Sequence, residues 1–264
     1  DGRFATTLVF SDSIVLEYLE PAHAARPAEL SLLRVTHGYR DARSASDVAW
    51  NNSGACQNNV ACALAAGWDE PIRSVVKYVM GGGLCTGALI NNTAQDGTPY
   101  FLTADHCYSN PSYWVFWFNY ESSTCSDPSW EPDYDSLSGA SYRASNGDSD
   151  FVLVELSTPP PDSYGVYYAG WSRSSSAPSS AVGIHHPAGD IKKFSYEGSQ
   201  ISSWGSYWDV GPWDDGTTEG GSSGSPLFDS NQRIVGQLYG GSSACWGGSE
   251  NNGTDIYGRL DVSW

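Results

Sequence analysis

Phe101-Leu102-Thr103-Ala104-Asp105-His106-Cys107 is an apolar run that ends in a histidine followed at once by a cysteine. A strand with this ending presents an imidazole at its tip. Working back along the chain, residues 86–90 form a second β-type run. Between the two lies Asn91-Asn92-Thr93-Ala94-Gln95-Asp96-Gly97-Thr98-Pro99, rich in turn-forming residues. A hairpin centred near Asp96 sets Cys85 opposite Cys107, each 11 residues from the centre. A Cys85–Cys107 bridge would brace the strand end that carries His106.

The same texture continues outward. Residues 113–120, 151–156, 181–185, 226–228 and 234–239 are short β-branched and aromatic runs, broken by Gly, Pro, Asn and Asp. Long helical stripes are almost absent. Residues 71–77 read weakly as a helix, but 75–79 read equally well as a strand. Many short strands joined by turns predict an all-β barrel or sandwich. The first fifty residues differ. Runs at 4–10, 13–19 and 29–37 look like three strands, hold no cysteine, and lead into a polar, Asn-rich joint at 47–54. The expected division is a β-rich appendage over 1–50 and a main domain over 51–264. That these strands instead belong to the main fold stays open.

Composition narrows the function. Of 264 residues, 40% are hydrophobic, enough for a packed core. Thirteen Lys and Arg against 30 Asp and Glu give a formal charge of −17, which argues against nucleic acid and anionic membranes as partners. The aromatic run Tyr113-Trp114-Val115-Phe116-Trp117-Phe118 is too short to span a bilayer. Six cysteines with no CxxC pair point to disulfides and an oxidising compartment, so a secreted protein, expected to be a monomer, is predicted.

Three patterns carry chemistry: His106 at its strand end, Asp150 opening Asp150-Phe151-Val152-Leu153-Val154-Glu155-Leu156, and Ser223 within Gly221-Ser222-Ser223-Gly224-Ser225-Pro226. A hydroxyl needs a base to become a nucleophile, and the base needs an anion to hold its tautomer and stabilise its cation. The order His106, Asp150, Ser223 supplies all three. Gly221, lacking Cβ, lets the chain turn sharply, and the N–H groups of Gly221 and Ser223 would form an oxyanion hole worth ~3 kcal/mol per donor.

Thr103-Ala104-Asp105-His106-Cys107 and Gly221-Ser222-Ser223-Gly224-Ser225-Pro226 resemble the trypsin/chymotrypsin family of serine peptidases, and most of all its bacterial lysyl endopeptidase branch. Cys85-Thr86-Gly87-Ala88-Leu89-Ile90-Asn91-Asn92-Thr93, Ala169-Gly170-Trp171, Ile184-His185-His186-Pro187, Gly236-Gln237-Leu238-Tyr239-Gly240-Gly241 and Asp255-Ile256-Tyr257-Gly258-Arg259 extend the likeness over roughly 54–264. The resemblance implies two six-stranded antiparallel barrels with the active site between them. His106 then matches the general base, Asp150 its orienting carboxylate and Ser223 the nucleophile. Ser225 is excluded because the closing proline sits three residues after the nucleophile. The resemblance also implies the pairs Cys56–Cys245 and Cys62–Cys125, each closing a long loop worth ~3–5 kcal/mol.

The resemblance further bears on specificity and activation. The position six residues before the nucleophile, anionic in trypsin-like enzymes, is Thr217. The branch takes its anion from the segment matched by Asp255, which is nominated as the partner of a substrate Lys or Arg side chain; the alternative is a turn residue with no such role. Gly240 and Gly241 are expected to line the pocket, with Tyr239 and Trp171 beside the catalytic imidazole. The chain has three lysines against ten arginines, mild support for Lys. No cofactor or metal is implied, since His185 and His186 are adjacent on a strand and point to opposite faces. Relatives carry a propeptide, which 1–50 resembles, with a junction near Trp50–Asn51. Ser222 stands where trypsin-type zymogens have the Asp that receives a new N-terminus, so activity should not need a freed one. Residues 260–264 leave no room for the family's terminal helix. Glutamyl or broad specificity, and a latent or inactive homologue acting as a binding module, remain the alternatives.

Overall fold

The computed structural model describes residues 50–245 and 253–264, together with Thr6, Val9, Ser11, residues 13–19 and 30–32, and Val35. After β1 (Asn58–Asn59) and α1 (Asp69–Ser74) come seven strands of one antiparallel sheet. These are β2 (Val75–Met80), β3 (Gly83–Leu89), β4 (Tyr100–Ala104), β5 (Val115–Phe118), β6 (Asp135–Ser138), β7 (Ala140–Asn146) and β8 (Phe151–Leu156). A second antiparallel sheet takes β1 with β9 (Ala181–His185), β10 (Lys193–Glu197), β11 (Ser202–Trp204), β12 (Tyr207–Val210), β13 (Pro226–Phe228), β14 (Ile234–Gly241) and β15 (Asp255–Arg259). A single turn of helix, α2 (Leu260–Ser263), follows. The expectation of an all-β, two-sheet chymotrypsin-like architecture holds.

The strand count departs from two sixes. The first sheet runs β6-β5-β2-β3-β4-β8-β7, so its two end strands are neighbours in sequence. They are joined through Gly139 alone, at φ +82°, a left-handed conformation suited to glycine. One long strand therefore bends at Gly139, pairing with β5 before the bend and with β8 after it, and this closes the sheet. Seven strands are six with the last one broken. The second sheet runs β1-β10-β9-β13-β14-β15-β12-β11 and gains its two extra members at its edges, from the two-residue strand β1 and from β11, which pairs with β12 in a short hairpin. Among the described residues no ladder joins β10 to β11, so it stays open there.

Local chemistry accounts for the remaining differences. Both readings of 71–77 are half right. Asp69 and Glu70 favour the first turn of α1, and the β-branched pair Val75-Val76 hands the chain to β2. The terminal segment read as non-helical holds the one turn of α2, with Leu260 buried in the core. Of the strands expected before residue 40, residues 13–19 carry none, and Val15, Leu16 and Leu19 are exposed. The runs at 4–10 and 29–37 lie largely outside the described residues.

Each sheet has its own apolar core, the first around Tyr78, Phe101, Phe116 and Val154, the second around Trp208, Trp213, Leu227 and Tyr257. A third cluster spans both, setting Val75, Leu102 and Phe151 of the first sheet against Ile184, Phe194, Phe228 and Ile234 of the second. This shared core fixes the two sheets against one another. The three disulfides pair as expected, Cys56–Cys245, Cys62–Cys125 and Cys85–Cys107.

Candidate active site

The strand ends at the seam between the sheets bring the candidate residues together. β4 terminates at Ala104, and a 3₁₀ turn over Asp105–Cys107 carries His106 out of the sheet. Its neighbour β8 begins after a tight turn at 147–150, in which Asp150 takes φ +55°. That turn aims the Asp150 carboxylate back at the histidine. Asp150 Oδ1 accepts from the His106 backbone N–H at 2.8 Å, Oδ2 lies 2.7 Å from His106 Nδ1, and the Asp150 carbonyl accepts from the Asp105 N–H at 2.9 Å. The carboxylate is 6% exposed and the imidazole 38%. A buried carboxylate accepts only, so Nδ1 carries the proton and Nε2, 3.7 Å from Cys107 Sγ, keeps its lone pair.

The Gly221–Ser225 turn packs against the same strand end. Thr86 N–H donates to the Ser223 carbonyl at 2.9 Å, and Gly224 N–H donates to Leu238 at 2.8 Å. A Cβ on Gly224 would stand 2.8 Å from the Ala104 backbone nitrogen, two residues before His106. Behind the turn, Ala188 N–H donates to the Gly220 carbonyl, and a Cβ on Gly221 would meet Leu84 at 2.7 Å and the Gly189 nitrogen at 3.0 Å. With φ at +95°, position 221 suits glycine on both counts. The N–H groups of Gly221 and Ser223 have no acceptor among the described residues, while those of Ser222, Gly224 and Ser225 are paired internally. No hydrogen bond joins Ser223 Oγ to His106 Nε2 among the described residues, which is common before substrate tightens such a site.

Asp255 opens β15 and is wholly buried. Its Oδ2 accepts from Trp213 Nε1 at 2.7 Å, Thr218 Oγ1 at 2.9 Å and Ser243 Oγ at 2.7 Å. No cation pairs with it among the described residues. Burial pushes its carboxyl above the usual range, while the Ser243, Trp213 and Thr218 hydrogen bonds pull the other way. Thr217 is also buried, but its hydroxyl turns to the Thr218 carbonyl at 3.5 Å; the side chain that reaches Asp255 is Thr218. Gly241 pairs with Asp255 across β14 and β15, where a Cβ would lie 2.2 Å from Oδ1, and Gly240 precedes it.

The aromatic neighbours divide. The Tyr239 ring sits 5.7 Å from the His106 ring, as expected. Trp171 goes elsewhere: its Nε1 donates to the Asn91 carbonyl, and its ring lies 4.4 Å from Trp264. An isolated bridge to Ile234 ties Trp171 to the back of β14, away from the front edge that carries Tyr239. The shelf continues instead through Tyr207, 5.6 Å from Tyr239, to Trp204, 6.4 Å further on and 71% exposed. Sequence reasoning missed Tyr207, Trp204, Thr218, Ser243 and Trp213; the one available signal was the Trp204-Gly205-Ser206-Tyr207 hairpin, a Gly turn flanked by aromatics. His185 and His186 face different partners. His185 bonds to two serines, and His186 Nδ1 lies 2.9 Å from the Asp190 carbonyl.

The family model for the lysyl endopeptidase C-terminal domain matches residues 50–258. The chain belongs to this family. A curated lysyl endopeptidase of Pseudomonas aeruginosa is 31% identical over 275 residues, covering 90% of this chain. The chain spans 57% of that relative's length. Among solved structures, an inactive Ser343Ala form of Rv3671c from Mycobacterium tuberculosis H37Rv aligns at TM-score 0.46 and 14% identity, covering 72% of this chain and 82% of that one. An inactive form of the Rv3671c protease aligns at TM-score 0.46 and 15% identity, covering 73% and 88%.

Proposed function

We propose that this chain is a secreted serine endopeptidase that cuts after lysine through an acyl-enzyme. The observation that carries the reading is the Asp150–His106 pair at 2.7 Å beside the Ser223 turn. His106 Nε2 takes the Ser223 hydroxyl proton as Oγ attacks the scissile carbonyl, and Asp150 stabilises the resulting imidazolium. The Gly221 and Ser223 N–H groups receive the oxyanion. His106 then hands the proton to the leaving amine, and water hydrolyses the ester by the same path. Asp255 holds the substrate ammonium, with Thr217, Gly240 and Gly241 as walls and Tyr239 beside His106. Residues 1–50 act as a propeptide-like segment, in line with a family match that begins at residue 50.

Lysine is favoured over arginine by the chain's own residues. All three lysines are buried: Lys77 is 0% exposed, Lys192 1% and Lys193 2%. Lys77 donates to the Gly189 carbonyl between the Trp117 and Tyr120 rings, and burial pushes it down to about 7. Lys192 pairs with Glu121, and Lys193 with Asp127. Arg73, Arg143, Arg173 and Arg233 are exposed, so an arginine-cutting enzyme would find sites on its own surface. We therefore expect the folded protein to survive prolonged incubation at high concentration without nicking, and a denatured sample given fresh enzyme to be cut after Lys77, Lys192 and Lys193. Mass mapping of fragments checks this; native cleavage at arginines would overturn the lysine preference.

The direct test is hydrolysis of four short chromogenic peptides that differ only in Lys, Arg, Glu or Phe before the bond. Lys should lead by at least tenfold. Phe or Glu in front would remove Asp255 as the specificity residue, and no turnover of any peptide would favour a latent or inactive homologue.

A further inference from the structure

His185, at the end of β9, is fully buried and lies outside the His106–Asp150–Ser223 group. Its Nδ1 lies 2.8 Å from Ser222 Oγ and its Nε2 lies 3.0 Å from Ser195 Oγ. Ser195 Oγ in turn donates to the Thr217 carbonyl at 3.0 Å, and Ser222 Oγ accepts from the Glu219 N–H at 3.3 Å. Burial, with the nearby Lys193 ammonium adding to it, holds the ring down to about 3, so it is neutral at ordinary pH.

The direction of every hydrogen bond in this chain then follows. A carbonyl only accepts, so the single Ser195 proton goes to Thr217. Ser195 Oγ must therefore accept from His185 Nε2–H. A neutral imidazole carries one proton, which leaves Nδ1 as an acceptor and makes the Ser222 hydroxyl its donor. Ser222 Oγ keeps its lone pairs for Glu219 N–H. The sequence of donors is Glu219 N–H to Ser222, Ser222 to His185, His185 to Ser195, and Ser195 to the Thr217 carbonyl. The relay joins two parts of the site: Ser222 precedes the nucleophile inside the oxyanion turn, and Thr217 and Glu219, at its two ends, flank Thr218, which binds Asp255.

We propose that His185 is a positioning residue which, through Ser222 and Ser195, locks the oxyanion turn to the 217–219 pocket segment. This rests on the reading of Ser223 as nucleophile. The relay fixes Ser222 from the side away from substrate and so orients the Gly221 and Ser223 N–H groups without touching the reacting atoms. Fully satisfied buried networks of this kind specify a single geometry, whereas a partly broken one does not.

The test uses the full chain and its Ser222→Ala and Ser195→Ala variants. Wild type is first labelled with a fluorophosphonate. Then kcat and KM on a lysyl substrate are measured, with the affinity of a lysyl peptide aldehyde (which engages the oxyanion hole) and of an alkylammonium ion (which engages only the pocket). We expect Ser222→Ala to lower kcat and aldehyde affinity together by 10–100-fold, short of the 10²–10³ lost when an oxyanion donor is removed outright. KM and alkylammonium affinity should stay within about threefold. Ser195→Ala should act in the same direction, less strongly. Independently of folding in the variants, ¹⁵N spectra of the wild type should show His185 as the Nε2–H tautomer. Aldehyde affinity within twofold of wild type in both variants, or a His185 proton on Nδ1, overturns the proposal alone. Failure of the wild type to label at Ser223 overturns the peptidase reading and this role with it.

Discussion

Replacing Ser223 by alanine should lower kcat on a lysyl peptide by about 10⁶-fold, with KM and melting temperature little changed. The hydroxyl is the atom that forms the acyl bond, and its removal leaves His106 with a proton to accept and nothing to activate. Ser223 is partly exposed and its Oγ makes no hydrogen bond among the described residues, so the fold loses no contact that holds it together. Ser225 supplies the control. It is wholly buried, its N–H donates to the Ser222 carbonyl at 2.9 Å through the backbone, and among the described residues its hydroxyl lies against Tyr257 and bonds to neither His106 nor Asp150. Ser225→Ala should therefore keep activity within a few-fold. Burst titration with an active-site phosphonate distinguishes the two, since only the Ser223 variant should show no burst. An active Ser223→Ala enzyme would return the nucleophile to the candidates, and an inactive Ser225→Ala would make Ser225 the first of them.

Much of this was legible because short-range pattern and long-range constraint agreed. β8, β9 and β13 begin and end where alternation and turn residues place them. The Cys85–Cys107 bridge followed from a hairpin centre alone, although the pairing of Ala88 with Leu102 and Leu89 with Phe101 puts the true centre at residue 95. The two extra residues are absorbed by the 3₁₀ turn over Asp105–Cys107, the same turn that lifts His106 out of the sheet. What stayed hidden depends on which faces meet. Trp171 and Trp204 are both tryptophans beside small residues, and nothing local separates the one stacked on Trp264 from the one that extends the Tyr239 shelf. Asp255 could be nominated, but its donors Trp213 and Thr218, on the loop between β12 and β13, and Ser243, after β14, converge only in the folded chain. The same holds for the His185 relay, whose members stand on β9, β10 and the loop between β12 and β13. Gly139 shows the limit for topology: one glycine looks like a turn, and only its flanking partners reveal a strand bent to close a sheet.

Asp255→Asn should cost lysyl substrates 10²–10⁴-fold in kcat/KM, from the ~3–5 kcal/mol lost when one member of a buried ion pair is removed. A neutral amide keeps the shape and can still accept from Trp213 and Thr218, so the pocket should persist while its charge is gone. Free of substrate, the variant should be at least as stable as the wild type at neutral pH. The sign follows from the direction of the shift. Burial raises the folded carboxyl above its unfolded value, so as pH rises the unfolded chain ionises first. The contribution of Asp255 to stability is therefore largest at acid pH, falls as pH rises from the usual carboxylate range through the raised folded value, and stays lowest above it. Asparagine removes that slope. Activity runs the other way, because only the ionised carboxylate attracts a lysine ammonium, so the wild-type KM for a lysyl peptide should climb as pH falls through the same window. The variant's KM should be high and flat. Melting curves and KM measured from pH 4 to 8 on both proteins check the two slopes together. A variant that melts lower at neutral pH yet still prefers lysine would mean that Asp255 is a structural acid, with the substrate cation bound by some other group.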